Sequence, residues 1–208
     1  MTSRGPVTVA RLGEGAFIGN FKSFLFEDYV RSATATAKGD VKIGLLDTLA
    51  LSGEFSSLSS RFRGLLLSLS SRTKKITDRA VDLFMSERIS RNTTYKPDKC
   101  RKKPSEKGIF AIKEGEAYVV GQNRKGSVPL ITLEKGDVFG ALPFVSVGQE
   151  PGNASVSGAV DLEFHELDHQ KLLQEYNQLS GTFKNLLEHI GTCTCKTTHS
   201  VSDLCDRK

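Results

Sequence analysis

Residues 7–73 align with residues 128–194 at a constant shift of 121, without a gap. Sixteen of those sixty-seven positions are identical: Val7, Leu12, Gly15, Gly19, Ala33, Asp40, Leu46, Asp47, Leu51, Glu54, Leu58, Ser59, Phe62, Leu65, Leu66 and Thr73. Others swap like for like, as Val41 with Leu162, Ile43 with Phe164, Phe55 with Tyr176 and Leu69 with Ile190. A match of this length, with glycines and apolar positions in phase, argues for one fold duplicated in the chain.

Each copy has the same local grammar. "VTVARLGEGAFIG" alternates, turns at Gly13 to Gly15 and resumes as a strand. "RSATATA" and "DVKIGLLD" alternate with period two, as do "NASVSG" and "DLEFHELD" in the second copy. The period then changes. Leu58, Phe62, Leu65, Leu66 and Leu69 follow helical spacing, as do Leu179, Phe183, Leu186, Leu187 and Ile190. The first helix is expected to continue through "KKITDRAVDLF" on Ile76, Ala80, Val81 and Phe84. Each copy thus reads as short antiparallel strands followed by a helix.

The copies are unequal upstream. Before Leu133 lies "GIFAIKEGEAYVVG", an apolar strand, a Glu-Gly turn and another strand; before Leu12 there is almost nothing. The first copy therefore lacks its front half, leaving unpaired strand edges and an open core. The expectation is that the chain is a piece of a longer protein or that another subunit supplies the missing strands.

Composition narrows the classes. The 208 residues are 38% apolar and 25% charged, which suits one or two small domains. No apolar run is long enough to span a bilayer and no signal peptide is evident, so a cytoplasmic protein without a membrane is expected. The net charge of +5 is concentrated in "KPDKCRKKPSEK", from Lys96 to Lys107, read as a solvated loop rather than a nucleic-acid contact. There is no P-loop, Gly-x-Ser-x-Gly or His-Glu-x-x-His, and no catalytic residues emerge. His165 and His169 read as strand and loop residues. His189, Cys193, Cys195, His199 and Cys205 near the end would suit zinc by ligand type, but the Cys-x-Cys spacing is not that of a zinc knuckle. The segment 193–208 reads as a disordered Cys-containing tail, with no metal or cofactor expected.

The second copy resembles a cyclic nucleotide-binding domain, the β-roll of catabolite activator proteins, protein kinase A regulatory subunits and gated ion channels. The resemblance rests on "GIFAIKEGEAYVV", "LITLEKGDVFG", "NASVSG" and "LEFHELDHQKLLQEY" in that order. The first copy resembles the back half of the same domain through "VARLGEGAFIG", "RSATATA" and "VKIGLLDTLALSGEF". This implies a mainly β fold with α: an antiparallel double-stranded β-helix, jelly-roll-like, with flanking helices, in tandem. The divisions would be 1–85, 86–192 and the tail 193–208.

In that family a Phe-Gly-Glu sequence and a later Arg hold the ribose and the cyclic phosphate. Carried over, the second copy has Gly140, Ala141, Gly152, Asn153 and Ala154, with neither charged contact, and reads as a degenerate site. The first copy has Gly19, Asn20, Arg31, Ser32 and Ala33, which keeps the phosphate-gripping arginine and replaces the carboxylate by an amide. The functional expectation is a non-catalytic regulatory or interaction module of tandem degenerate domains. It would hold a protein partner, or self-associate, through helices 57–84 and 177–191. The alternative is a cyclic nucleotide sensor of the cAMP or cGMP type acting through Arg31. A third reading, a cupin with metal chemistry, needs inward-facing histidines that the strands do not supply. Too few residues follow the last helix for a winged helix-turn-helix.

Overall fold

The computed structural model describes residues 8, 10–19, 21–25, 33–85, 108–123, 126–142, 144 and 154–207. Five helices and six strands follow in chain order: α1 Lys22–Leu25, α2 Thr48–Ser57, α3 Ser60–Met85, β1 Ile109–Glu114, β2 Ala117–Asn123, β3 Gly126–Leu133, β4 Val138–Gly140, β5 Ala154–Gly158, β6 Glu163–Glu166, α4 His169–Gln178 and α5 Gly181–Arg207. The fold is mixed rather than mainly β, because α3 and α5 alone run for 26 and 27 residues.

The strands form two antiparallel three-stranded sheets, β4-β1-β6 and β3-β2-β5. The turn at Gly115 is therefore not a hairpin. The chain leaves β1 in one sheet and enters β2 in the other. Gly115 has φ 78°, and a Cβ there would lie 2.8 Å from the Asp161 carbonyl oxygen, so the crossover requires glycine. Between the sheets pack Phe110, Phe139 and Phe164 from one side and Val119, Leu130 and Leu133 from the other. Phe110 lies 5.5 Å from Phe139 and 5.2 Å from Phe164, within the favourable range for aromatic pairs.

The helices carry the repeat further than the sequence indicated. Adding 121 to the bounds of α2 gives those of α4, and α3 superposes likewise on α5 apart from its last residue. Asp47 and Asp168 cap α2 and α4, each accepting from the amide three residues on, at 2.9 and 3.1 Å. Leu58 and Leu179 close those helices with amides bonded to Phe55 O and Tyr176 O. The following Ser59 and Ser180 start α3 and α5, accepting from Phe62 N and Phe183 N.

α3 and α5 lie side by side and run parallel. Their starts are linked through Glu54–Ser180 and Glu175–Ser59, and Thr73 meets Thr194 farther along both helices. Between those points Phe62, Leu65, Leu66 and Leu69 share a core with Phe183, Leu186, Leu187 and Ile190. Toward their C-termini, Ile76, Ala80, Leu83, Val201 and Cys205 join the core between the sheets. The spacing of these residues is that of a two-helix seam.

Two sequence expectations are corrected. Residues 193–207 are not a tail but the second half of α5. The sequence signal there is weak because much of the buried face is small and polar: Thr194, Thr197, Thr198 and Ser202. Thr198 satisfies its hydroxyl on its own helix by donating to Thr194 O at 2.8 Å. Second, no strand forms among the described residues before Ile109, although "ATATA" and "DVKIGLLD" alternate. Their counterparts β5 and β6 pair with β2 and β1. A strand needs a neighbour to bond, and alternation alone does not supply one. None of the described helices is long and apolar enough to cross a membrane.

Candidate functional site

The expected ligand residues lie between β4 and β5 and at the corresponding place in the first half. Asn20, Arg31, Ser32, Gly152 and Asn153 fall outside the described residues. Gly140 ends β4 opposite Ile109. Its φ is 102°, and a Cβ there would stand 2.1 Å from Gly108 O. The glycine serves a close approach of β4 to the residue leading into β1, and the Ala141 amide bonds that same oxygen at 3.0 Å. The Ala141 side chain is exposed. Ala154 begins β5 opposite Gly121. Gly19 and Ala33 are exposed, outside any helix or strand.

The chain just beyond Ala141 turns inward. Leu142 and Phe144 are buried. Phe144 stacks on Tyr176 at 4.7 Å and on Phe62 at 5.7 Å. Lys184 closes that stack, its ammonium 5.5 Å from the Tyr176 ring centre and bonded to Asn177 O at 2.9 Å. Phe62 belongs to α3, so a residue of the second half rests on the long helix of the first. The converse also holds. Phe21, the counterpart of Leu142, is buried 5.3 Å from Phe183 on α5.

A second crossed contact lies one turn earlier in each half. The Asp137 carboxylate accepts from Lys75 Nζ at 3.0 Å, Ser68 Oγ at 3.4 Å and Glu134 N at 2.9 Å. Ser68 Oγ in turn accepts from Val138 N at 2.7 Å. These partners fix the β3–β4 turn onto α3. Subtracting or adding 121 converts Val138 to Phe17 and Ser68 to His189, and Phe17 does meet His189, with ring centres 6.4 Å apart and perpendicular. Asp137 becomes Ala16, so the ionic part of the contact exists only in the second half.

His189 also lies 3.3 Å from Cys193 Sγ. Burial lowers the His189 pKa below its ordinary value; a hydrogen bond to the Phe17 backbone opposes that shift. Burial raises the Cys193 thiol above the usual range, with nearby Lys196 acting the other way. Both groups are thus held neutral, and a neutral thiol is a poor nucleophile. Cys205 is buried and His199 instead pairs with Asp203 at 3.6 Å. Among the described residues, no three His, Cys, Asp or Glu side chains gather as metal ligands would.

A third crossed contact is the most regular. Ser180 N and Oγ both donate to Glu54, at 2.6 and 2.7 Å. Ser59 N and Oγ both donate to Glu175, at 2.9 and 2.7 Å. In an ordinary capping box the carboxylate comes from the third residue of the same helix. Here it comes from the other half of the chain. All four residues are among the sixteen identities, and identity at polar positions within an apolar match was the signal that could have found them.

No family model and no curated protein matches the chain. Among solved structures, the EAL enzyme Bd1971 in its cAMP-bound form is 14% identical with a TM-score of 0.37, over 50% of this chain and 26% of that one. Its cGMP-bound form is 19% identical with a TM-score of 0.38, over 50% and 28%. The chain spans about a quarter of the length of those proteins.

Proposed function

We propose that the protein is a non-catalytic regulatory module made of two degenerate, cyclic nucleotide-binding-like repeats, jelly-roll-like in plan, whose halves are coupled by exchange of contacts. The observation that carries this reading is the crossing itself. Phe144 rests on α3, Phe21 rests on α5, and each long helix begins on a carboxylate of the other half. A partner that displaced Phe144 or Phe21 would therefore act first on the opposite half. Such a device transmits a binding event without chemistry. The protein partner would engage the α3–α5 pair; those helices supply each other's seam, so self-association is not needed to bury it. In the second repeat the cyclic nucleotide contacts are lost, with alanine at the carboxylate position and glycine at the arginine position.

The test is Phe144→Ala in the intact chain, followed residue by residue by amide exchange. Coupling requires faster exchange at the start of α3, the helix of the other half. A loss of protection confined to α4 and the β4–β5 connection would overturn the proposal.

A further inference from the structure

The second half shows what its strands require. β5 is bonded along its length to β2, from Ala117↔Gly158 to Gly121↔Ala154. β6 is bonded to β1, and Leu167 N reaches Ile109 O at 2.8 Å. In the first half the counterparts of β5 and β6 are residues 33–37 and 42–45. They are present, described, unpaired and exposed. Val41 is 52% exposed where its counterpart Leu162 is 0%, and Leu46 is 40% exposed where Leu167 is 7%. Ile43 is 71% exposed. Its counterpart Phe164 packs on Phe110 and Phe139.

The helix pair has an exposed apolar position of its own. In the second half β2 lies against α5 so closely that a Cβ on Gly121 would stand 2.7 Å from Ser202 Oγ, and Cys205 is buried beside it. Their counterparts on α3 are Val81 and Phe84, the latter 44% exposed. By the template of the second half, residues 33–37 and 42–45 and the exposed Phe84 mark the places where such a β1–β2 segment would seat.

We infer that this seat is a docking site for a two-strand segment bent at a glycine, of the β1–β2 kind, supplied by a polypeptide partner. The occupant follows from the internal template. One strand must pair with residues 42–45 and the next with residues 33–37. The two must enter different sheets, as β1 and β2 do on either side of Gly115. Inward positions must be apolar to cover Val41 and Ile43. The bend must be glycine, because the chain there passes a backbone carbonyl at the distance measured for Gly115. This is recognition by strand addition, in which main-chain bonds give affinity and alternate side chains give specificity. Leu45 provides an internal control. It stands where β6 has the exposed Glu166, on the face a docked strand does not cover.

The inference rests on the internal repeat and not on the regulatory reading, so either can fail alone. The test uses the chain with Met1–Pro6 replaced by a second copy of residues 107–127, which keeps the shift of 121. Amide exchange is compared with the parent. Protection of residues 33–37 and 42–45 is expected to rise by at least about tenfold. Ile43→Asp in the extended chain should abolish the gain, whereas Leu45→Ser should leave it. No gain, with β1–β6 still protected, would overturn the proposal. So would a parent chain already protected at 33–45 as a monomer. Protection in the parent that grows with concentration as the mass doubles would assign the seat to a second copy, and would overturn it too.

Discussion

Thr73 and Thr194 meet hydroxyl to hydroxyl at 2.5 Å, and they are the same residue of the two repeats, 121 positions apart. A residue that touches its own counterpart lies on the axis relating the halves, as in a symmetric dimer interface. Thr73 also donates to Leu69 O at 2.9 Å, which leaves Thr194 as the donor between them. Thr194 is fully buried. Thr73→Val should therefore leave its hydroxyl without this partner and cost about 1–2 kcal/mol. The double variant Thr73→Val/Thr194→Val should recover most of that loss in chemical denaturation, as removal of both partners of a buried pair does. Equal and additive losses would contradict the geometry.

Glu54→Ala and Glu175→Ala should each destabilise the chain by about 1 kcal/mol, the usual scale of a lost helix cap. The two values should agree, because the four bonds they remove are related by the repeat. Glu54→Ala should fray the start of α5, not of α3. Residue-resolved exchange at Phe183 and at Phe62 distinguishes the two.

Gly140→Ala should cost about 2 kcal/mol or more and loosen the pairing of β4 with β1, since the new methyl would meet the Gly108 carbonyl and the backbone there is left-handed. Ala141→Ser should be near neutral, because that side chain faces solvent. If Gly140 served a ligand instead of β1, its substitution would leave stability unchanged.

Calorimetric titration of the intact chain with cyclic AMP and cyclic GMP should show no binding in the second half. On the resemblance to a cyclic nucleotide-binding domain, the carboxylate and arginine positions would fall on Ala141 and Gly152. An unpaired phosphate charge in a partly buried site forfeits about 3 kcal/mol or more. Should heat appear, Arg31→Ala must remove it, as Arg31 is the one cation at either phosphate position. Binding that survives Arg31→Ala would refute the carry-over of both sites.

His189 gives the fold an acid-sensitive element. Burial lowers its pKa in the folded chain below the ordinary imidazole value of 6.5. On acidification the unfolded chain takes up the proton first, so this contribution is whole above about pH 6.5 and is lost as pH falls toward the folded value. The stability of the parent should drop more than that of His189→Gln between pH 7 and pH 5. Identical slopes would show that the Phe17–His189 contact does not exclude water.

Much of the architecture was legible because it is local. The Leu/Phe stripes marked α3 and the first half of α5, whereas α2 and α4 were not anticipated as separate helices. β5 and β6 were legible from alternation because their partners are present. Residues 33–45 carry the same alternation and form no strand, since pairing depends on a neighbour that local pattern does not describe. The end of α5 was missed because threonine and serine fill its buried face. The candidate site was read from the resemblance alone, and Asn20, Arg31 and Gly152 lie outside the described residues. That Phe144 rests on Phe62, across the repeat, depends on which of two equivalent helices receives the loop, and both offer the same phenylalanine at that position.

The exchanged carboxylates also set an order of events at the ribosome. The start of α3 at Ser59 waits for Glu175, which is made 116 residues later. At ordinary elongation rates of roughly 5–20 residues per second that interval is on the order of ten seconds. Throughout it the longest helix of the first half would emerge with its apolar stripe bare and Ser59 without its carboxylate. Translation that stalls before Glu175 would release a chain unable to complete either cap.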